Sequence, residues 1–371
     1  MSTINNMSAK MFAPECNNIY VAATSDVSVR VQIVTSDNVT RYDQTSTYTP
    51  VDGRVEFGDL ADLVNKCILL HDDMQQLTGV SVRNNYATLI IGIEAESLST
   101  GATVFYCTAG NATAPGQFQL FPTQNRRRTV FPSQVNCQVW VPRLAGGSIT
   151  LTVNGTYVAS GTQATKSHSQ TITASQYVNA YLLYDCSPAA IATRLALPAG
   201  AVLWEYELLL AVSGTVYDAV QFRVDRRHWP QLTEMVFMNV FGLPETVVLR
   251  GREEETHELN AEFGYSGWKM VRMDDDVTRD LTVNTGWLTK AERRQYGELY
   301  RSPLTGRQEQ LGLRRIVVRE IEVAYLTPTN EPASFDVTYR YADRRQEWMA
   351  DLDANTAGHN IFDHTFTIAF D

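Results

Sequence analysis

Val27-Ser28-Val29-Arg30-Val31-Gln32-Ile33-Val34 alternates apolar and polar side chains without a break over its first seven positions, Val27 to Ile33. Successive side chains of a strand point to opposite faces, so this run predicts a β-strand with one face turned to a core. The same period-two alternation recurs nearby, at Ile19 to Ala22, Arg54 to Phe57, Thr88 to Glu94 and Thr103 to Cys107. Turn residues separate the blocks, as in Pro50-Val51-Asp52-Gly53 and Ser97 to Gly101, at the spacing of a small β-sandwich of roughly 100 residues. One short helix is expected to intrude at Leu60 to Leu69.

Strand patterns continue outward from this block. A polar connector, Ala109 to Gln119, precedes Asn136 to Val141, Ser148 to Val153, Tyr157 to Ala159, Ser169 to Ile172, Asn179 to Tyr184, Trp204 to Val212 and Tyr217 to Val224. Asn154-Gly155 between two of these runs reads as a hairpin turn. From Asp225 the chain becomes more charged, with 25 of its 41 acids and 18 of its 31 bases lying there. Strands are expected at Met235 to Asn239, Glu245 to Arg250, Lys269 to Met273, Arg315 to Leu326 and Ala333 to Tyr341. A helix is expected near 289–300, with Thr289 and Glu292 spaced as a capping box and Ser302-Pro303 closing it. At 371 residues, two or three domains are expected from roughly 150 residues per domain. The expectation is a mainly β protein in three parts: 1–115 and 116–228 as Ig-like or related sandwiches, and 229–371 as a β-rich α+β domain with one short helix. No repeat of fixed period is visible, although the first two blocks have room to share an architecture without sharing sequence.

Composition narrows the function. A formal charge of −10 argues against a protein that binds nucleic acid by neutralising phosphates, so no direct nucleic-acid partner is expected. The longest apolar stretches, Ala87 to Ile93 and Val202 to Val212, fall far short of the roughly 20 residues of a membrane-spanning helix, and no membrane insertion is expected. Met1 to Glu15 lacks a basic start followed by an apolar run, so no classical export is expected, and the sequons at Asn38, Asn111 and Asn154 carry no weight. Cys16, Cys67, Cys107, Cys137 and Cys186 show no metal-ligand spacing and are expected to be buried thiols.

Candidate chemistry is sparse. Asp274-Asp275-Asp276 with Asp280 offers clustered carboxylates for a hard cation, but without the glycine and bidentate acid of an EF-hand the better reading is a solvated turn. Glu253-Glu254-Glu255 with His257 reads as a solvated loop or edge. The six histidines form no HxxxH, HExxH or HxH arrangement, and no GxSxG, GxxxxGK[ST] or GxGxxG motif occurs. No enzyme, no catalytic residue and no cofactor or metal is expected. Arg126-Arg127-Arg128 and Arg226-Arg227-His228-Trp229 offer planar forks and stacking partners, and are expected to meet acids across a domain or subunit interface. Trp287 joins Arg126, Arg127, Arg128, Arg226, Arg227 and Trp229 as a candidate interface residue; Trp229, Trp268, Trp287 and Trp348 also have the aromatic surface that stacks on sugars.

The segments Met235-Val-Phe-Met-Asn-Val-Phe-Gly-Leu-Pro-Glu-Thr246, Val283-Asn-Thr-Gly-Trp-Leu-Thr-Lys-Ala-Glu292 and Leu299 to Ser302 resemble β-rich virion and tail proteins of phages and prophages of Bacteroides-type gut bacteria. The opening Phe12 to Val34, with Pro-x-x-Asn-x-Ile-Tyr-Val before alternating strands, is similar to the start of such proteins. The resemblance covers about a quarter of the chain. It implies a non-enzymatic virion component of the tail, baseplate or neck, made in the host cytoplasm, with other virion proteins as partners and a homo-oligomeric ring or other symmetric assembly. Asn239, Gly242 and Gly286 are expected to be structural turn residues, because Gly permits positive φ and the Asn side chain bonds nearby backbone. The competing expectation is a carbohydrate-binding or adhesin-like surface protein that uses exposed aromatics on a sandwich face.

Overall fold

Alternation becomes strand pairing along most of the chain, and the protein is mainly β. The computed structural model describes residues 2–69, 77, 81–110, 116–134, 136–144, 147–173, 177–266, 269–321 and 334–342. The first part holds β1 (Thr3–Asn5), β2 (Lys10–Phe12), β3 (Tyr20–Ala22), β4 (Val27–Thr35), β5 (Thr40–Tyr48), β6 (Arg54–Glu56), α1 (Leu60–Ile68), β7 (Val82–Arg83), β8 (Tyr86–Ile93) and β9 (Leu98–Phe105). A five-stranded sheet, β2-β9-β8-β4-β5, faces a three-stranded sheet, β1-β3-β6. Val29 and Ile33 of β4 and Leu89 and Ile91 of β8 share one core with Val21 of β3, Val55 of β6 and Val64 of α1. Burying one face of every second residue is what the alternation of β4 encodes.

The second part repeats this layout. It holds β10 (Arg127–Val130), β11 (Gln138–Arg143), β12 (Ile149–Ala159), β13 (Thr162–Ile172), β14 (Ala180–Asp185), α2 (Pro188–Arg194), β15 (Val202–Val212) and β16 (Thr215–Val224). Its five-stranded sheet, β10-β16-β15-β12-β13, matches the first strand for strand. In both, the opening strand runs parallel to the closing one, β2 to β9 and β10 to β16. In both, the second sheet contains an antiparallel pair, β3 with β6 and β11 with β14, and a helix then leads to the last two strands. This is the layout of an immunoglobulin-like sandwich, and in the first one the opening segment is split between the sheets, β1 in the three-stranded and β2 in the five-stranded. Tyr206, on the penultimate strand, donates its hydroxyl to the Cys186 carbonyl upstream, as a tyrosine corner does. The two parts are joined by strand donation, since β7 pairs with β14 as Arg83↔Tyr181 and Val82↔Leu182.

The third part is built differently. It holds β17 (Thr233–Met238), β18 (Pro244–Leu249), β19 (Glu253–Ser266), β20 (Lys269–Asn284), α3 (Lys290–Arg301), β21 (Thr305–Glu309), β22 (Gly312–Ile321) and β23 (Asp336–Tyr341). One seven-stranded sheet runs β18-β17-β21-β22-β23-β20-β19, and Tyr296 and Leu299 of α3 pack on Met235, Phe237, Leu249 and Val337 from it. The three larger cores draw on residues 11–104, 121–224 and 235–341. A smaller cluster of Phe12, Phe105, Phe118, Trp140, Tyr181, Phe241 and Leu243 takes side chains from all three parts and fastens them together.

Three expectations are corrected. Asn154-Gly155 is no turn: both residues lie inside β12, which pairs with β13 without a register shift to Ala159↔Thr162. The turn is Ser160-Gly161, where both φ are positive at 49° and 78°, as a two-residue hairpin loop of type I′ requires. Gly155 serves space instead, because a Cβ there would lie 2.4 Å from Leu195 Cδ1. Asp274-Asp275-Asp276 is strand, not turn, with partners Glu262, Ala261 and Asn260 in β19. Glu253-Glu254-Glu255 does lie on an edge, at the start of the terminal strand β19, with Glu254 and Glu255 exposed, but Glu253 is not solvated, since Arg307 holds its carboxylate at 2.9 Å and Tyr339 donates to it at 3.1 Å. Trp268, Trp348, Asn111, His71, His359 and His364 lie outside the described residues.

Candidate functional site

The sharpest chemistry in the molecule lies where the three parts meet. β17 ends in the turn Asn239-Val240-Phe241-Gly242 before β18. Asn239 Oδ1 accepts from the N–H groups of Phe241 and Leu243 at 2.9 and 3.2 Å, which holds the turn closed. Its Nδ2 reaches outward to the Pro122 carbonyl at 2.8 Å and to Glu245 Oε2 at 3.1 Å. Gly242 has φ +67°, and a Cβ there would lie 2.7 Å from the Tyr106 ring, so glycine is needed both for the backbone and for the approach of the first sandwich. The Asn85 amide donates to the Gly242 carbonyl across the same contact. Gly286, at φ +70°, lets the chain pass Arg250, whose Cβ stands 3.1 Å from where a Cβ would be.

Glu245 sits at the centre of this junction and is buried. Arg128 donates to its Oε1 at 2.7 Å, Thr123 at 2.8 Å and Gln295 at 3.1 Å. Asn125 donates to Gln295 Oε1 at 2.7 Å, so α3 is tied to the second sandwich through amides as well as charges. Beside it, Glu292 closes the capping box of α3, accepting from the Thr289 N–H at 2.8 Å while its other oxygen takes Thr129 at 2.8 Å and Arg250 at 3.3 Å. A buried carboxylate stripped of water has to be matched in charge and in hydrogen bonds, and here both are supplied across domain boundaries. Glu298, one α3 turn beyond Gln295, accepts from the Val240 N–H at 3.4 Å. Burial, reinforced by the nearby charge of Glu245, pushes its carboxyl up to about 8. Glu298 lines a cavity of about 690 Å³ with Tyr106, Thr108, Asn239 and Arg301.

The candidate interface residues divide by environment. Arg128 belongs to the internal lock, and Arg126 pairs with Asp218 at 2.8 Å within the second sandwich. Arg227 and the Trp229 N–H converge on Asp225; burial alone would raise that carboxyl, but these hydrogen bonds hold it near 2. Arg127 and Arg226 are exposed, and Trp287 is 66% exposed immediately before the α3 cap. All five cysteines are buried and unpaired, and burial pushes the thiols of Cys16, Cys107 and Cys137 up to about 12. Among the described residues, no group of three or more His, Cys, Asp or Glu side chains is placed to hold a metal ion, and no helix is long and apolar enough to cross a membrane.

A second feature lies on the outer face of the second sandwich. A groove of about 770 Å³ runs between that sheet and the start of α3, lined by Arg127, Asn154, Lys166, Glu205, Glu207 and Arg223. Beside Glu205 a bulge in β15 leaves Trp204 unpaired between Leu203 and Glu205 and 57% exposed.

Sequence reading singled out Arg128, Asn239, Gly242 and Gly286 without joining them, and it missed Thr123, Asn125, Gln295, Glu298 and Trp204. Glu245 follows the Asn239-to-Gly242 turn by three residues, a local signal; Thr123 and Asn125 are brought in from more than 100 positions away, Gln295 and Glu298 by a helix face, and Trp204 was legible only as the start of a strand. Comparison with known proteins adds little. No family model matches the chain, and no curated protein matches it. Among solved structures, one described as "Crystal structure of CBD12 from CALX1.2" is similar over 60% of this chain and 98% of its own, at 8% identity and a TM-score of 0.18, a level that carries no argument.

Proposed function

We propose that this protein is a non-enzymatic structural component of a phage virion, in the tail, baseplate or neck, working through protein–protein interfaces with other virion proteins and with further copies of itself. In this reading it is made in the host cytoplasm and resides in the virion. The observation that supports it most is the Glu245 junction, where Arg128 to Glu245 and Asn239 to the Pro122 carbonyl tie the second sandwich to the α+β domain and the Asn85 amide to the Gly242 carbonyl ties in the first, so that the three parts are held in one arrangement. A part that bears load inside an assembly needs such fixed geometry, because free hinges between domains would absorb displacement. The motif segments that resemble phage virion proteins fall on this same junction, at Met235 to Thr246 and Val283 to Glu292. Solution mass tests the reading, which expects a discrete multiple of the chain.

A carbohydrate-binding role is the second reading, favoured by Trp204 on its bulge beside a groove lined with carboxylates, an amide and cations. Binding on a glycan array that Trp204→Ala abolishes would favour it; no binding above background would remove it.

A further inference from the structure

Both sandwiches end their five-stranded sheets in a long strand with an open outer edge, and β13 is the longer, at 11 residues. It pairs with β12 through 11 consecutive residues without a bulge and contains neither proline nor glycine. Natural edges are often blunted by bulges, proline or charged side chains, of which β13 carries only Lys166, since a row of unpaired N–H and C=O groups is a template for another strand. The seven-stranded sheet has a second open edge, on β19, whose pairing with β20 is bulged between Glu262 and Phe263 and which contains a glycine, Gly264. β19 is its terminal strand, and β20 pairs with β23 only from Leu281 to Asn284, so the remainder of β19 and β20 forms a two-stranded arm that extends roughly 40 Å beyond the last of those pairs. Its base is anchored: Arg279 meets Glu255 at 2.6 Å, and Asp280 meets Arg319 and Arg340 at 2.7 and 2.9 Å. Among the described residues nothing pairs with the outer edge of either β13 or β19.

Charge says which edges belong together. Residues 253–284 hold nine acids against three bases, whereas residues 116–224 hold seven bases against four acids. The arm proper, residues 256–280, keeps a negative excess with six acids against three bases, and the second sandwich is the one part of the chain with a positive excess. β13 itself has Lys166 and His168 and no acid.

We propose that the β19 edge of the arm in one copy adds to the β13 edge of the second sandwich in the next copy, joining two sheets by main-chain hydrogen bonds. The inference rests on the assembly reading above and specifies its surface. Because the paired edges differ, the contact is heterologous, and repeated rotation closes it into a ring or continues it as a filament. Opposite net charge guides the approach, so the contact weakens as added salt shortens the screening length from about 10 Å at 0.1 M to about 3 Å at 1 M.

Exposed Thr165 on β13 and exposed Thr256 on β19 give a direct test. The five native thiols are buried, so a short bismaleimide acts on introduced cysteines. The double variant Thr165→Cys/Thr256→Cys is expected to yield a covalent ladder of dimers and higher species at low salt and little at 1 M salt. Each single variant is expected to stay monomeric on a denaturing gel, and Lys166→Glu in the full chain is expected to raise the concentration needed for assembly several-fold. A discrete multimer by light scattering with no ladder would overturn the edge pairing while leaving the assembly reading in place. Covalent dimers from Thr165→Cys alone would also overturn it, by showing β13 against β13. A chain that stays monomeric at all concentrations would overturn both.

Discussion

Arg128→Met leaves the buried Glu245 carboxylate without its counter-charge, and breaking a buried pair from one side costs about 3–5 kcal/mol. Urea unfolding should show that loss as a lower midpoint; a cost below about 1 kcal/mol would mean that Glu245 is not the keystone of the junction. Gly242→Ala meets two obstacles at once, a positive φ and the Tyr106 ring, and is expected to lose at least about 2 kcal/mol. Gly161→Ala, with a similar φ but open space around it, should lose about 1 kcal/mol by the same assay. Glu298 gives the junction a pH dependence. Its carboxyl keeps its proton up to about 8 in the folded chain, against an ordinary value of 4.5, so between those values the folded state binds more protons than the unfolded one. Stability is therefore expected to fall as pH rises from about 4.5 to about 8. Glu298→Gln should flatten that slope in thermal melts across the range; an unchanged slope would assign the dependence to other groups.

At the scale of elements, Thr289 and Glu292 separate two roles that their capping-box spacing merges. Thr289→Ala removes one cap and should cost about 1 kcal/mol. Glu292→Ala also strips Arg250 and Thr129 of their partner and should cost distinctly more, with the difference read from the same unfolding curves. That double duty could not be read from sequence, where Glu292 is only the third residue after Thr289. β4 was legible because its alternation is long and one-sided, and α3 because its cap is local. The β12–β13 turn was misread because Asn154-Gly155 has better turn chemistry than Ser160-Gly161, and only the fold shows that Leu195 needs the space beside Gly155. α2 was missed because seven residues are too few to establish a helical period.

For the whole molecule, the mainly β character, the two serial sandwiches and the α3-bearing final part were visible in strand patterning, while the order in which the strands pair was not. Strand order depends on pairings between distant residues, and the two sandwiches reach the same order with different side chains. The junction was legible only as fragments, because Arg128, Glu245 and Gln295 are separated by 117 and 50 positions. What the fixed junction implies for function is testable in solution. The measurement closest to the central proposal is the mass of the purified full-length chain by light scattering, taken across concentration and ionic strength. A virion component that associates with itself predicts a discrete multiple of 41.6 kDa that persists over a range of concentrations. A strict monomer under every condition would contradict that account and move the carbohydrate-binding reading ahead of it.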